Sequence, residues 1–256
     1  MKLDRPILSL SIKIFCIISM LIATIAFNAD AAVHEEKVTT QASSGQNVST
    51  WAKVDSSNSV VEAGVTIPYE IIERPPSELG KGPAGSIVVS PFPEIVRKST
   101  FLNHFELNWE MHGHEPKVFM VPHFDFHFYG VPTQEVFKVA AQDPLQPEVR
   151  QVPAGYIYPG REFTVPQMGV HAVRPSDLER PFSDVLIFGF YGGKMTFIEP
   201  MVTRDRMLEK KHITYDIPVP GYLGKSTRYP TKVDIRYDSK AKAYQIIFSG
   251  FRTIVL

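Results

Sequence analysis

The chain has 256 residues, with 27 basic and 27 acidic side chains and therefore a formal net charge of zero. This balance argues against a nucleic-acid partner or an anionic membrane surface, both of which select a strongly basic protein. The single cysteine excludes a disulfide framework within the chain, so the fold must rely on a buried core, which a chain of this length can form.

The N-terminus predicts a secretory signal peptide over residues 1–31. Three basic residues precede a predominantly apolar run over residues 14–27, and Ala29 and Ala31 place small side chains where a signal peptidase reads them. The apolar run is shorter than a comfortable membrane span. We therefore predict a secreted or periplasmic protein with no stable membrane insertion after cleavage.

Residues 32–60 are predicted to be a polar, disordered linker. The segment contains HEEKVTTQASSGQ and VDSSN, and it has few of the apolar side chains that a packed core needs. Residues 61–256 are then expected to form a single domain.

Within that domain, proline and glycine separate short apolar runs at the spacing typical of strands. The clearest hairpin has Gly192-Gly193 between two β-prone runs, since glycine adopts the positive φ angles of a two-residue turn. Helix signals are limited to residues 134–141 and to residues 204–211, which Thr203 is expected to cap. The predicted strands are 65–72, 86–90, 105–109, 118–121, 123–129, 162–165, 169–173, 185–191, 194–199, 231–237 and 244–249. This pattern predicts an all-β domain, a single β-barrel or sandwich with one or two short helices.

One predicted strand, HFDFHFY, carries the densest group of candidate functional side chains. Side chains at i, i+2 and i+4 share one face of a strand, so His123, Asp125 and His127 project together, and the three phenylalanines form a core-facing row. The polar group has three interpretations: a metal site, a metal-free polar pocket, or an ordinary solvated face. Two imidazoles and a carboxylate are typical metal ligands, and a small barrel can bury both faces of a strand.

Strand geometry limits how these three side chains can act together. Residues at i and i+2 lie about 6.6 Å apart and can share an ion, whereas residues at i and i+4 lie about 13 Å apart. We therefore expect one histidine with Asp125, or one histidine with ligands from other strands. The candidates on other strands are His171, in QMGVHAV, and Glu199, in MTFIEPM.

The predicted metal ligands are accordingly drawn from five residues: His123, Asp125, His127, His171 and Glu199. Imidazole and carboxylate ligands without sulfur suit a transition metal ion, namely Zn, Fe, Mn, Ni or Cu. Three other histidines are interpreted differently. His104 is expected to make a hydrogen bond on a strand, His114 lies in a predicted loop, and His212 is expected on a solvated surface.

The blocks NHFELNWEMHGHEP, PHFDFHFYG, PQMGVHAV and MTFIEPMVT together resemble an uncharacterised family of secreted bacterial cupin-like β-barrel proteins. The resemblance extends from about residue 103 to about residue 232, and HFDFHFY is its most specific part. It implies a cupin-like barrel that assembles as a ring-like homo-oligomer, and it adds His114 to the five candidate residues. The chain departs from the family pattern at Ala172-Val173-Arg174, where the family has an aromatic and an acidic residue.

Several functions are consistent with these residues. The first is a metal-dependent enzyme acting on a small molecule, and the alternatives are a non-catalytic small-ligand or metal-binding protein and an oligomeric scaffold of the cell envelope. His123 and Asp125 followed by His171 have the order of the two-histidine-one-carboxylate oxygenase triad. The pair is short and common, however, and a secreted protein lacks a supply of 2-oxoglutarate, so we do not favour an oxygenase. No nucleophile elbow, phosphate loop or dinucleotide fingerprint is present in the sequence.

Overall fold

The computed structural model describes residues 33–255, so the predicted signal peptide over residues 1–31 lies outside the described residues. The described chain forms two six-stranded sheets and one two-stranded sheet. The two large sheets are antiparallel and pack as a sandwich. The all-β prediction is confirmed, and of its two forms the sandwich is the one observed.

The first large sheet joins the beginning and the end of the described chain, because β3 pairs with β13. With strands numbered in chain order, its spatial order is β1 (His34–Gln41), β2 (Asn47–Val54), β3 (Val60–Pro68), β13 (Ala243–Ser249), β12 (Lys232–Asp238) and β10 (Ile213–Asp216). A separate two-stranded sheet pairs β11 (Thr227–Tyr229) with β14 (Arg252–Ile254).

The second large sheet carries the candidate site. Its spatial order is β4 (Val88–Pro91), β5 (His104–Glu110), β6 (His123–Tyr129), β9 (Lys194–Thr203), β8 (Asp184–Tyr191) and β7 (Val170–Ala172). The HFDFHFY strand is therefore β6, and it lies between β5 and β9 in the interior of the sheet.

The described helices are short, from four to six residues, and there are five of them rather than one or two. They are α1 (Tyr69–Glu73), α2 (Glu94–Ser99), α3 (Thr133–Val136), α4 (Pro175–Leu178) and α5 (Arg204–Leu208). Thr203 caps α5 as predicted, since its side chain accepts a hydrogen bond from the Arg206 amide. Within residues 33–255, none of the helices has the length and apolar character needed to cross a bilayer.

The prediction of a disordered linker over residues 32–60 is wrong. This segment forms β1, β2 and the start of β3, and it completes one edge of the first sheet. Val48, Trp51 and Val54 on β2 are buried in the core. The composition of the segment is polar because β1 lies at the edge of the sheet, where its side chains are exposed or half-buried. A strand of this kind does not need the apolar residues by which a core segment is recognised.

Other predicted elements also differ from the structure at their ends or in type. The predicted strand over 65–72 ends at Pro68 and is followed by α1, and the predicted helix over 204–211 ends at Leu208. The predicted strand over residues 118–121 is replaced by a 3-10 turn at Lys117–Phe119, and the one over 162–165 by a 3-10 turn at Arg161–Phe163. The predicted helix over 134–141 is reduced to α3. Pro116 precedes the first 3-10 turn and Pro132 precedes α3, and the fixed φ angle of proline suits the start of a turn or helix.

The predicted glycine hairpin is confirmed. Tyr191 pairs with Lys194, and the two glycines between them have φ angles of 63° and 74°. Both values lie in the left-handed region of backbone conformation, which glycine adopts without strain. The β8–β9 register starts at this hairpin, shifts at an irregularity between Gly189 and Phe190, and then pairs Glu199 with Ile187.

The phenylalanine row of β6 forms the centre of the core as predicted. Phe124, Phe126 and Phe128 are each 0% exposed. The Phe128 ring lies 5.0 Å from Phe105 on the neighbouring strand and 4.5 Å from Phe248 on the first sheet. Aromatic contacts across the two sheets thus fix which face of β6 points to the core.

The opposite face of the second sheet is also buried. Two small apolar clusters cover it, one containing Phe119 and Met201 and the other containing Val131, Val136 and Phe197. The polar side chains of β6 therefore lie in the protein interior, and the interpretation of a solvated face is excluded for them.

Candidate metal centre

The six candidate side chains fall into two groups of three, each with two histidines and one carboxylate. The first triad contains His114, His123 and Asp125, and the second triad contains His127, His171 and Glu199. In each triad the ligand atoms lie within 4.8 Å of one another. Both groups have the composition of a metal site. All five residues predicted as candidate metal ligands belong to one of these triads, but they do not form a single site.

The division follows from the length of β6. His123 and His127 are four residues apart on one strand, which is too far for a shared ion. Each histidine therefore lies beside a different carboxylate, Asp125 for His123 and Glu199 for His127. The oxygenase-like grouping of His123, Asp125 and His171 is not formed, because His171 belongs to the other triad.

The first triad combines two residues of β6 with one residue of the loop before it. His123 Nε2 lies 3.1 Å from Asp125 Oδ1, and His114 Nε2 lies 3.5 Å from Asp125 Oδ2. The two Nε2 atoms are 3.2 Å apart. His123 and Asp125 are buried, whereas the His114 side chain is 40% exposed. The triad is therefore reached from solvent through His114.

The charges within the first triad stabilise one another. Burial acts to lower the pKa of His114, but the hydrogen bond and the negative charge of Asp125 outweigh it and raise this pKa to about 9. Burial acts to raise the pKa of Asp125, yet the charge of His123 and the hydrogen bonds from His114 and His123 hold it well below its usual range. Without an ion, this triad is a buried carboxylate paired with a protonated imidazole.

The second triad is assembled from three different strands. Asp125 pairs with Met201 and Phe128 with Ile198, so the register places Glu199 on β9 opposite His127 on β6. His127 Nε2 lies 3.6 Å from Glu199 Oε1, and His171 Nε2 lies 3.7 Å from Glu199 Oε2. His171 comes from β7 at the sheet edge, and its side chain is 20% exposed.

One aromatic ring contacts both histidines of the second triad. The Phe197 ring lies 4.9 Å from His127 and 5.2 Å from His171, both edge-on. The ring occupies the space above Gly189, where an added Cβ would fall 2.0 Å from it. Glycine at this position is thus required for the close approach of the ring that positions both ligands.

Burial keeps the second triad uncharged. It lowers the pKa of His127 to about 3, and it lowers the pKa of His171 to about 4 together with the charge of His114. Burial, reinforced by the negative charge of Asp125, raises the pKa of Glu199 well above its ordinary value. Among the described residues, neither ring nitrogen of His127 has a hydrogen-bond partner, and Glu199 Oε2 has none either.

These unpartnered atoms fit a bound metal ion. Buried polar groups are nearly always hydrogen bonded, and each unpaired one costs about 1–3 kcal/mol. A neutral imidazole is the form that ligates a metal, and Glu199 would supply the carboxylate oxygen after losing its proton. The triad would hold the ion through three protein ligands and leave further coordination positions open to water or a small molecule.

Two other histidines, His104 and His212, agree with their predicted roles. His104 Nε2 lies 2.9 Å from Glu106 Oε1 in a buried pair on β5. His212 lies 2.8 Å from Asp234 with half of its side chain exposed. His114 is the ligand that reasoning from spacing missed. Its only signals were the His-x-His of MHGHEP and the resemblance to the bacterial family.

No known family model matches the chain, and no curated protein or solved structure matches it either. The resemblance to secreted cupin-like proteins, with the homo-oligomer it implies, therefore stays a prediction.

Proposed function

We propose that this protein is a metal-binding protein and that it holds a transition metal ion at the second triad. The observation that carries the proposal is His127, a buried imidazole with both ring nitrogens unpartnered beside Glu199 and His171. A metal ion provides the missing partner for one nitrogen and for the orphaned carboxylate oxygen.

A comparison within the same sheet separates this arrangement from a structural histidine–carboxylate pair. His104 and Glu106 approach to 2.9 Å, the length of a charge-assisted hydrogen bond. His127 and Glu199 stay 3.6 Å apart although both are buried. Ligand atoms about 2.0–2.2 Å from one ion lie about 3.3–3.6 Å from each other in a tetrahedral site, so the wider spacing supports shared ligation of an ion.

The donor atoms define the class of ion. Two imidazole nitrogens and one carboxylate oxygen, without sulfur, favour Zn²⁺, Fe²⁺, Mn²⁺, Ni²⁺ or Cu²⁺. When bound, such an ion acts as a Lewis acid toward whatever occupies its open positions. The protein residues hold the ion, exclude bulk water from two of its three ligands, and leave His171 as the side open to solvent. A small-molecule ligand at that side is part of the proposal.

The test is the metal content of protein expressed as the full chain and purified without a histidine tag. We expect up to one equivalent of a transition metal at the second triad, and we expect His171→Ala and Glu199→Gln each to remove it. Glu199→Gln keeps the volume of the side chain, and His171 is partly exposed, so both variants should fold. His104→Ala is the matched control, since it removes a buried histidine that belongs to neither triad.

A second experiment divides an enzyme from a binding protein. Wild type and Glu199→Gln are incubated with small carbonyl and phenolic compounds, and turnover that depends on the second-triad metal supports an enzyme. Metal binding without turnover supports the non-catalytic alternative. A wild type that contains no metal and binds no added Zn²⁺, Mn²⁺ or Fe²⁺ contradicts the proposal.

A further inference from the structure

We infer that the first triad, His114 with His123 and Asp125, is a second metal site that binds its own ion. It goes beyond the proposed function, because none of its ligands is shared with the second triad.

The hydrogen bonds determine which ring nitrogen of each histidine is free. His123 Nδ1 donates to the Val121 carbonyl oxygen at 2.6 Å, and His114 Nδ1 donates to the Glu115 carbonyl oxygen at 2.8 Å. A carbonyl oxygen only accepts, so both Nδ1 atoms carry the proton. Metal-ligating histidines are typically oriented in this way, with one nitrogen bound to the backbone and the other to the ion.

The two free nitrogens face each other. The Nε2 atoms lie 3.2 Å apart, and in two neutral rings with protonated Nδ1 atoms they would oppose their lone pairs. A cation must therefore occupy the space between them and Asp125, either a proton on one ring or a metal ion. The contacts within this group measure 3.1 Å from His123 Nε2 to Asp125 Oδ1, 3.2 Å between the two Nε2 atoms and 3.5 Å from His114 Nε2 to Asp125 Oδ2. Two of them are a few tenths of an ångström shorter than the edges of about 3.3–3.6 Å expected for ligands of one tetrahedral ion, so a bound ion would move the three side chains slightly apart.

Exposure indicates how an ion would reach the site. Asp125 and His123 are buried on β6, so they form a fixed base with little freedom to rearrange. His114 is the outermost ligand, with 40% of its side chain exposed. An ion can enter from the His114 side and replace the proton of the metal-free state. Two imidazoles and one carboxylate suit the same class of divalent transition metal ions as the second triad, with Zn²⁺ and Co²⁺ as practical probes.

The two ions would lie near each other. Asp125 and His127 are two residues apart on β6, so their side chains stand about 6.6 Å apart on one face of the strand. The sites are thus adjacent but separately ligated. Variants in one triad should remove one ion and leave the other.

The experiment is a Zn²⁺ titration by calorimetry on the untagged full chain after treatment with chelator, with Co²⁺ absorption spectra as a second readout. We expect two equivalents for wild type, one for His114→Ala and one for Glu199→Gln. The Co²⁺ bands lost in the two variants should differ. His114 is half-exposed in a loop, so its substitution leaves the core intact, which circular dichroism checks. His212→Ala removes a histidine of similar exposure elsewhere and should keep both equivalents.

The outcomes separate this inference from the proposed function. If His114→Ala binds as much Zn²⁺ as wild type, the inference is overturned, whatever Glu199→Gln does. If wild type binds one ion that His114→Ala loses and Glu199→Gln keeps, the first triad is a metal site and the proposal for the second triad fails. Loss of an equivalent in His212→Ala points to adventitious binding by surface histidines and also overturns the inference.

Discussion

Substitution of His127 by leucine should stabilise the metal-free protein while it abolishes metal binding at the second triad. His127 is 0% exposed, and both of its ring nitrogens lack a partner among the described residues. Leaving a buried polar group unpaired costs about 1–3 kcal/mol. Leucine has a similar volume and no polar atom. The loss of the edge-on contact with Phe197 offsets about 0.5–1.5 kcal/mol, so we expect a net gain of about 1 kcal/mol in the free energy of unfolding.

Bound metal should reverse the order of stability, so that wild type becomes more stable than His127→Leu. An ion that binds only the folded state stabilises it by about 4.1 kcal/mol when its free concentration is a thousand times the dissociation constant. Wild type receives this stabilisation at the second triad and His127→Leu does not. An ion at the first triad stabilises both proteins and cancels in the comparison.

The assay is urea unfolding of wild type and His127→Leu, each with chelator and with excess Zn²⁺. We expect the variant to have the higher midpoint in chelator and the lower midpoint in Zn²⁺. A variant that is less stable than wild type by more than about 1 kcal/mol in chelator would refute the reasoning, because His127 would then make stabilising interactions of its own.

The other predictions concern acid stability, the aromatic ring at the site and the unexpected strand. The folded-state pKa values of His127 and His171, about 3 and 4, lie below the unfolded value of about 6.5. Their contribution to the free energy of unfolding is therefore present above pH 6.5 and is lost as the pH falls toward 4 for His171 and toward 3 for His127. The urea midpoint of metal-free wild type should fall over this window, and that of His127→Leu should fall less; equal slopes would contradict the assignment. Gly189→Ala should displace the Phe197 ring, lower the unfolding free energy by about 1–3 kcal/mol and weaken Zn²⁺ binding at the second triad. An unchanged Zn²⁺ affinity in calorimetry would show that the ring does not position the ligands. Trp51→Ala should cost about 3–5 kcal/mol because the side chain is 4% exposed in the sheet, whereas a disordered segment would give no change in thermal melting.

The sequence is most informative where one period governs a strand. Alternation on β6 predicts the phenylalanine core and the shared polar face, and both the hairpin at Gly192-Gly193 and the all-β class are confirmed. The 2.0-residue period depends only on backbone geometry, so it can be recognised in the sequence without knowing which strands lie next to it. The candidate ligands His171 and Glu199 were identified on predicted strands as well, although β9 extends to Thr203, so Glu199 lies inside this strand and not at its end.

The grouping of the ligands depends on tertiary contacts that no local pattern contains. Strand spacing shows that His123 and His127 cannot share an ion, but it cannot show that the loop after β5 returns His114 to the first of them. Likewise, β1 has the composition of a polar segment, and its strand structure depends on pairing with β2, which in turn pairs with β3. Cross-strand pairing of this kind overrides local composition.

The most direct test of the account is a crystal structure of the untagged protein, with anomalous data collected at the absorption edge of the metal found in it. We predict an anomalous peak about 2.0–2.2 Å from one ring nitrogen of His127, from His171 and from a carboxylate oxygen of Glu199. Protein soaked in Zn²⁺ that shows no peak there, with His127 hydrogen bonded to Glu199 as His104 is to Glu106, would contradict it.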